Sequence, residues 1–395
     1  MSLLILFLLT LFLFLGKPKM VYHLPTAGAC LTHNRTNVIN AFFIIIILLR
    51  HINQRLVPFC GIDVYYDRIF NLPTGQGIVS TFFFFSGYGI MQSIKKKKEL
   101  YVRDLMSKRF LRLYFNTAVC CLFCCFVYGC TFLEPYDAAL SFVKTMVGAG
   151  GYWFIIMTLA IYVTTWVGFK FCGVSRPVIA VFVSAALTYA LCLALIPVKP
   201  MWWLDTELCF PCGMLLAIYL TRIEGIIRKL RLPILLVGCV FFLLGWRMMK
   251  YHMIGYNLIL RTHLLDFLEN PSAPLFTDMY HILVYPLCTV VWVLGILWIF
   301  ASVQWKKEPA FLVWLGGPAV FYIFVLHFVP IRLIQYFGTD GDFPLGVISE
   351  AFGWGALYPN AVVLATVVLS LVLAFLMQLV LTKLDAPIFE RKKLK

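Results

Sequence analysis

The chain has 395 residues, of which 62% are hydrophobic and 13% are charged, and its mean hydropathy is +0.89. A soluble globular protein is about 45–50% apolar and about 25% charged, so this composition excludes a soluble enzyme, a disordered chain and a secreted disulfide scaffold. The net charge of +15 does not require a nucleic-acid partner, because Lys and Arg gather in the cytoplasmic loops of membrane proteins.

Apolar segments of helix-spanning length recur from one end of the chain to the other, and ten of them are predicted to cross a membrane. They cover about residues 38–58, 76–94, 113–134, 152–172, 177–198, 206–222, 232–248, 279–302, 311–334 and 358–382. The predicted fold is therefore all-α, a polytopic transmembrane helical bundle.

Residues 1–16 form an additional apolar segment, which is short for a span and lacks the positive start of a signal peptide. It could be a short or interfacial helix, a tilted span or a start-site extension. We divide the chain into an N-terminal segment with its cytoplasmic lead-in (1–36), a transmembrane domain (37–383) and a basic cytoplasmic tail (384–395).

The distribution of charge predicts how the ten spans are oriented. If the segment before the first span is cytoplasmic, the cytoplasmic segments together hold 24 of the 33 Lys and Arg residues. These segments are 17–37, 95–112, 170–176, 222–231, 303–309 and 383–395. One alternating topology thus satisfies the positive-inside rule and places the C-terminus in the cytoplasm.

The first predicted span carries polar residues that are costly inside a bilayer. Asn40 and His51 are eleven residues apart, which places them within about 20° of one helix face and about 16 Å apart. His51 is then expected in the outer half of the bilayer, where a histidine can act as a general base. A polar cluster that caps the outer helix end, with Arg50 reaching the interface, explains the same residues.

The ninth predicted span contains a second histidine, His327, at about the same expected depth as His51. It follows a Gly316-Gly317-Pro318 opening and Tyr322. A general base and a hydrogen-bonded structural residue are both open interpretations of His327.

Arg109 and Arg112 lie at the predicted mouth of the third span and, being three apart, share a helix face. Two guanidinium groups there would suit a phosphorylated cytoplasmic ligand, although a membrane anchor would have the same pattern. The 13 Cys residues lie mostly in apolar segments, and Cys209-x-x-Cys212 has no matching second pair, so we expect no metal site.

Several short motifs occur in a fixed order over about residues 37–335. They are Asn37 to Asn53, Phe82 to Ile90, Lys108 to Tyr114, Tyr152 to Ile155, Asp205 to Met214 and Leu315 to His327. Together they resemble the acyltransferase type 3 family of integral-membrane acyltransferases.

The resemblance implies transfer of an acyl group, commonly acetyl, from cytoplasmic acyl-CoA to a hydroxyl of an extracytoplasmic glycan. It implies that His51 is the catalytic residue, by direct base catalysis or through an acyl-His, and that Arg109 and Arg112 bind the donor. It also implies a bacterial cytoplasmic membrane, with membrane lipid, acyl-CoA and the glycan as partners. The family has a basic residue where this chain has Asn40, and Arg35 is an imperfect substitute because it lies about 140° off that helix face.

The remaining polar and aromatic candidates could line a pore or bind the acceptor, although packing and helix capping also explain them. They are Asn40, Ser86, Trp153, Asp205, Glu207, Tyr322 and His327. Two other classes of function stay open, a transporter or flippase of glycan or lipid precursors and a non-catalytic membrane scaffold. We see no inverted repeat that would favour a transporter.

Overall fold

The computed structural model describes residues 1–23, 31–56, 63–64, 66, 74–131, 133–146, 152–195, 204–230, 232–249, 274–339 and 358–389. Almost all of these residues are helical. The first helices are α1 (Ser2–Leu15), α2 (His33–Arg55), α3 (Thr74–Lys97), α4 (Glu99–Leu105), α5 (Leu111–Thr131), α6 (Pro135–Met146), α7 (Trp153–Cys172) and α8 (Pro177–Leu195). The others are α9 (Leu204–Glu207), α10 (Cys209–Lys229), α11 (Ile234–Met249), α12 (Pro274–Ala301), α13 (Ala310–Leu315), α14 (Val320–Leu326), α15 (Phe328–Thr339) and α16 (Tyr358–Phe389).

The helices confirm the predicted all-α polytopic bundle. Six helices among the described residues are long and apolar enough to cross a membrane, and five further apolar helices are shorter. Each of the ten predicted spans coincides with one or more of these helices. Many large apolar side chains on α16 are exposed, Leu369 at 51% among them, which suits a surface in contact with lipid. The protein is therefore an integral membrane protein.

Two predicted loops are helical. The segment 95–112, expected to be a loop, continues from α4 through a π-helical turn at Met106–Phe110 directly into α5. Only Lys98, with a φ of 51°, interrupts the chain between α3 and α4. The predicted outer segment 135–151 contains α6. Its remaining residues, 147–151, lie outside the described part of the chain.

The ninth predicted span is broken into α13, α14 and α15. Gly316 ends α13 and lies so close to α2 that a Cβ atom there would overlap the backbone oxygen of Asn37. Pro330 has no N–H to donate to the carbonyl of Leu326, which weakens the helix one turn earlier. His327 stands at that second break, between α14 and α15.

The N-terminal segment folds as helix α1, followed by strand β1 (Pro18–Met20). This strand pairs antiparallel with β2 (Val303–Trp305), with Lys19 opposite Gln304. Met1 lies near Asp63, beyond the end of α2. The 14 residues of α1 span about 21 Å at 1.5 Å per residue, less than the roughly 30 Å hydrocarbon core of a bilayer.

The division of the chain at 36/37 and 383/384 stays a prediction. Helix α2 begins at His33 and α16 continues to Phe389, so a helix runs through each of these positions. Residues 390–395 of the predicted tail lie outside the described residues.

Helices α3 and α10 cross at very short range and hold the centre of the bundle together. A Cβ atom on Gly87 would overlap the backbone oxygen of Phe210, and one on Gly213 would overlap that of Phe84. Glycine at both positions lets the two backbones touch, as small residues do at contacts between membrane helices. This contact fixes α3, which lines a large cavity in the bundle.

Candidate active site

The two histidines that the sequence placed at similar depth are in direct contact. His51, near the end of α2, has its Nδ1 atom 2.6 Å from Nε2 of His327. Their ring centroids are 4.8 Å apart and the ring planes differ by 7°. The contact joins residues 276 positions apart in the chain, and it links α2 to the break between α14 and α15.

The hydrogen bonds define which nitrogen of each neutral imidazole carries the proton. Nδ1 of His327 lies 2.9 Å from the carbonyl oxygen of Ile323, which can only accept, so this nitrogen donates. Nε2 of His327 is then an acceptor, and His51 must donate to it through Nδ1. The chain of donors leaves Nε2 of His51 unprotonated, with a lone pair able to take a proton from a substrate.

An aromatic ring packs against one side of the histidine pair. His327 is only 1% exposed, whereas His51 is half-buried. The ring of Phe328 packs against both, with its centroid 4.9 Å from that of His51 and 4.2 Å from that of His327. His327 is therefore enclosed by the protein, whereas part of the His51 side chain is exposed.

A cavity of about 990 Å³ lies between α2, α3, α7, α10 and α14. Its volume is at the upper end of the range for ligand sites, which is about 300–1,000 Å³. Asn40 and Ser86, two of the candidates named from the sequence, line it. The Oδ1 atom of Asn40 is buried and has no hydrogen-bond partner among the described residues.

The solvent-exposed part of the cavity lining is basic. Arg109 and Lys95 are both exposed and line the cavity, and the Lys95 Nζ atom donates to the carbonyl oxygen of Ala217 at 3.0 Å. The Arg109 guanidinium lies near the hydroxyl groups of Tyr101 and Tyr162. Cationic side chains at the mouth of a large cavity suit an anionic ligand such as a phosphate.

Arg112 does not join Arg109 at the cavity. Its Nε atom lies 2.9 Å from Oδ2 of Asp385 on α16, and the same oxygen accepts from Asn116 at 3.2 Å. The π turn explains the separation, because Leu111 N–H donates to Met106 five residues back and a π turn rotates the chain differently from an α-helix. Arg112 thus joins the third predicted span to the last.

The other predicted site residues lie away from the cavity. Trp153 packs edge-on against Phe154, and Tyr322 lies near Asp385 and Arg112. Glu207 is 3% exposed and borders a separate space of about 10 Å³, enough for a single water. The side chain of Asp205 lies outside the described residues.

Two side-chain contacts were not predicted from the sequence. The first joins Asp385 to Arg112; a carboxylate inside the apolar last helix is costly to bury, so Asp385 could have been expected to have a partner. The second joins His51 to His327, and the only sequence feature that pointed to it was the similar expected depth of the two residues. In the described part of the chain, no group of three or more His, Cys, Asp and Glu side chains is placed to hold a metal ion.

Comparison with known proteins gives one match. Residues 33–379 match the model of the acyltransferase type 3 family, which is described as an acyltransferase domain. The searches of curated proteins and of solved structures found no match. The matched range contains both histidines, Arg109 and Arg112, and it confirms the resemblance found in the sequence.

The pairing of Arg112 with Asp385 predicts strong energetic coupling. In a double-mutant cycle of Arg112→Ala and Asp385→Ala, we expect a coupling of about 1.5–3 kcal/mol, the range for a hydrogen bond to a charged group. Each single change leaves one polar partner behind, whereas the double change removes both. The measurement is the free energy of reversible unfolding in mixed detergent and SDS micelles.

The control cycle uses Asp104 and Lys108, an exposed pair one helical turn apart. Pairs of this kind contribute about 0–1 kcal/mol. Additive effects of Arg112→Ala and Asp385→Ala would show that the two residues act independently.

Proposed function

The chain belongs to the acyltransferase type 3 family and is a membrane acyltransferase, and from this premise we propose its substrates. We propose that it transfers an acyl group, acetyl in the simplest case, from acyl-CoA to a hydroxyl of an extracytoplasmic glycan. The observation that carries the proposal is the hydrogen-bonded histidine pair, which leaves a lone pair on Nε2 of His51. The pair lies near a large cavity that Arg109 and Lys95 line.

The cavity supports acyl-CoA as the donor. Its volume suits a large ligand, and Arg109 and Lys95 at its mouth would bind the phosphates of CoA by charge-assisted hydrogen bonds. The narrower part of the cavity is lined by aromatic and apolar side chains, which suit an uncharged pantetheine arm. Arg112 supports this site indirectly, because its salt bridge fixes the start of α5 beside Arg109.

The proposed chemistry takes place at Nε2 of His51. This nitrogen removes the proton from the acceptor hydroxyl as the oxygen attacks the thioester carbonyl carbon. A C–O bond forms, the C–S bond breaks, and His51 returns the proton to the departing sulfur, which leaves as free CoA thiol. His327 is a positioning residue, since it holds the Nδ1 proton of His51 on the side away from the substrate.

We propose that the mouth with Arg109 faces the cytoplasm and that the acceptor approaches from the opposite side. The concentration of Lys and Arg in alternate segments supports this orientation, with the C-terminus in the cytoplasm. By family resemblance the membrane is the cytoplasmic membrane of a bacterium. His51, about 16 Å further along α2 than Asn40, would then meet a donor and an acceptor from opposite leaflets.

The first test is the variant His51→Ala in purified protein with labelled acetyl-CoA and an extracted surface glycan. We expect release of free thiol and labelling of the glycan to fall at least about 100-fold, because a general base contributes about 10²–10⁴. His23→Ala is the control, since His23 is exposed and its ring hydrogen-bonds to the backbone carbonyl of Leu232. Wild-type turnover in His51→Ala would contradict the mechanism, and a wild-type protein that releases no thiol would favour a transporter or a scaffold.

A second test separates positioning from catalysis at His327. His327→Ala removes the acceptor for the His51 N–H group, so we expect kcat to fall at least about tenfold while KM for acyl-CoA is unchanged. His327→Gln offers a side-chain oxygen as acceptor and should recover part of kcat. Equal kcat in the two variants, or a change confined to KM, would show that His327 does not orient His51.

A further inference from the structure

Four phenylalanines in the wall of the large cavity form a cluster. Phe82 and Phe83 of α3, Phe154 of α7 and Phe324 of α14 all line the cavity. The Phe154 centroid lies 4.8 Å from that of Phe83, 4.9 Å from that of Phe324 and 6.1 Å from that of Phe82. Phe154 is thus the centre of a continuous aromatic floor contributed by three helices.

The histidine pair lies directly behind this floor. The Phe324 ring is 6.4 Å from the ring of His327, centroid to centroid, and His327 is three residues further along the same chain segment. Neither His51 nor His327 lines the cavity. Phe324 therefore separates the space open to the donor from the catalytic histidine pair.

The packing of helix α2 also separates the cavity from His51. Asn37 and Asn40 face the cavity, and residues 44, 47 and 51 continue that helix face at the usual spacing of three and four. Ile44 is 0% exposed and Ile47 is 5% exposed. The route from the cavity to His51 is therefore packed with side chains in this structure.

Acyl transfer nevertheless needs the thioester carbon to come within about 3–3.5 Å of the acceptor oxygen. We propose that the aromatic floor is a barrier that the acyl end of the donor must displace, with Phe154 and Phe324 as specificity-determining residues. This inference rests on the proposed function. A small acyl group needs a small displacement of the rings, and a long acyl chain needs a large one, so the barrier selects short acyl groups.

The barrier has a second consequence for the donor. With the rings in contact, the thioester is kept from the water and acceptor on the other side until the acyl group has passed. Exclusion of water from a reactive group prevents its hydrolysis. The floor thus limits hydrolysis of the thioester to the carboxylic acid and CoA thiol when no acceptor is present.

The test compares Phe154→Ala and Phe324→Ala with the control Phe171→Ala. Phe171 lies on α7 like Phe154, but its side chain is 80% exposed and it does not line the cavity. Thiol release is measured with acetyl-CoA and with octanoyl-CoA, each with and without glycan acceptor. Phe154→Leu serves as a milder second variant in case the alanine variant does not fold.

We expect the ratio of the octanoyl to the acetyl rate to rise at least about tenfold in the floor variants, in keeping with the discrimination available to apolar pockets. Hydrolysis without acceptor should rise as well, and Phe171→Ala should match the wild type in both. Phe154→Trp, which enlarges the barrier, should lower the rate with octanoyl-CoA further.

The outcomes distinguish this inference from the proposed function. An active wild type whose chain-length ratio and hydrolysis are unchanged in every folded floor variant would overturn the barrier alone. The same shift in Phe171→Ala as in the floor variants would also overturn it. A wild type that releases no thiol from either donor would overturn the proposed function and the barrier with it.

Discussion

The hydrogen bond between His51 and His327 is the interaction on which the site depends. It connects the first helix of the matched family domain to the broken penultimate segment, and the carbonyl of Ile323 fixes its direction. Without this acceptor, an isolated His51 imidazole would exchange between two tautomers. With it, the lone pair of His51 lies on Nε2, so the contact that joins the two helices also fixes the tautomer that the proposed mechanism requires.

The helix breaks make this contact possible. Gly316 brings the penultimate segment against α2 at the cavity mouth, and the break before Pro330 turns His327 toward His51. The cavity beside these helices is lined by Arg109 and Lys95. In the proposed function, these cations bind the donor phosphates and His51 is the base.

The sequence predicted the helical bundle because apolar runs of spanning length have few alternatives in a membrane, and it selected His51 because an ionisable residue there is costly. It did not reveal the separation of Arg109 from Arg112, because the π turn between them changes the helix phase that the prediction assumed. The pairing of Arg112 with Asp385 and the aromatic floor around Phe154 depend on side chains from distant helices. Local periodicity carries no information about such contacts.

The most direct test is a cryo-electron-microscopy structure with a thioether analogue of acetyl-CoA, which cannot transfer its acyl group. We predict phosphates bound by Arg109 and Lys95, displaced Phe154 and Phe324 rings, and a sulfur atom within roughly 4 Å of Nε2 of His51, close enough to receive its proton. An analogue bound on the opposite side of the bundle, or one whose sulfur stops below an undisturbed aromatic floor, would contradict catalysis at the histidine pair.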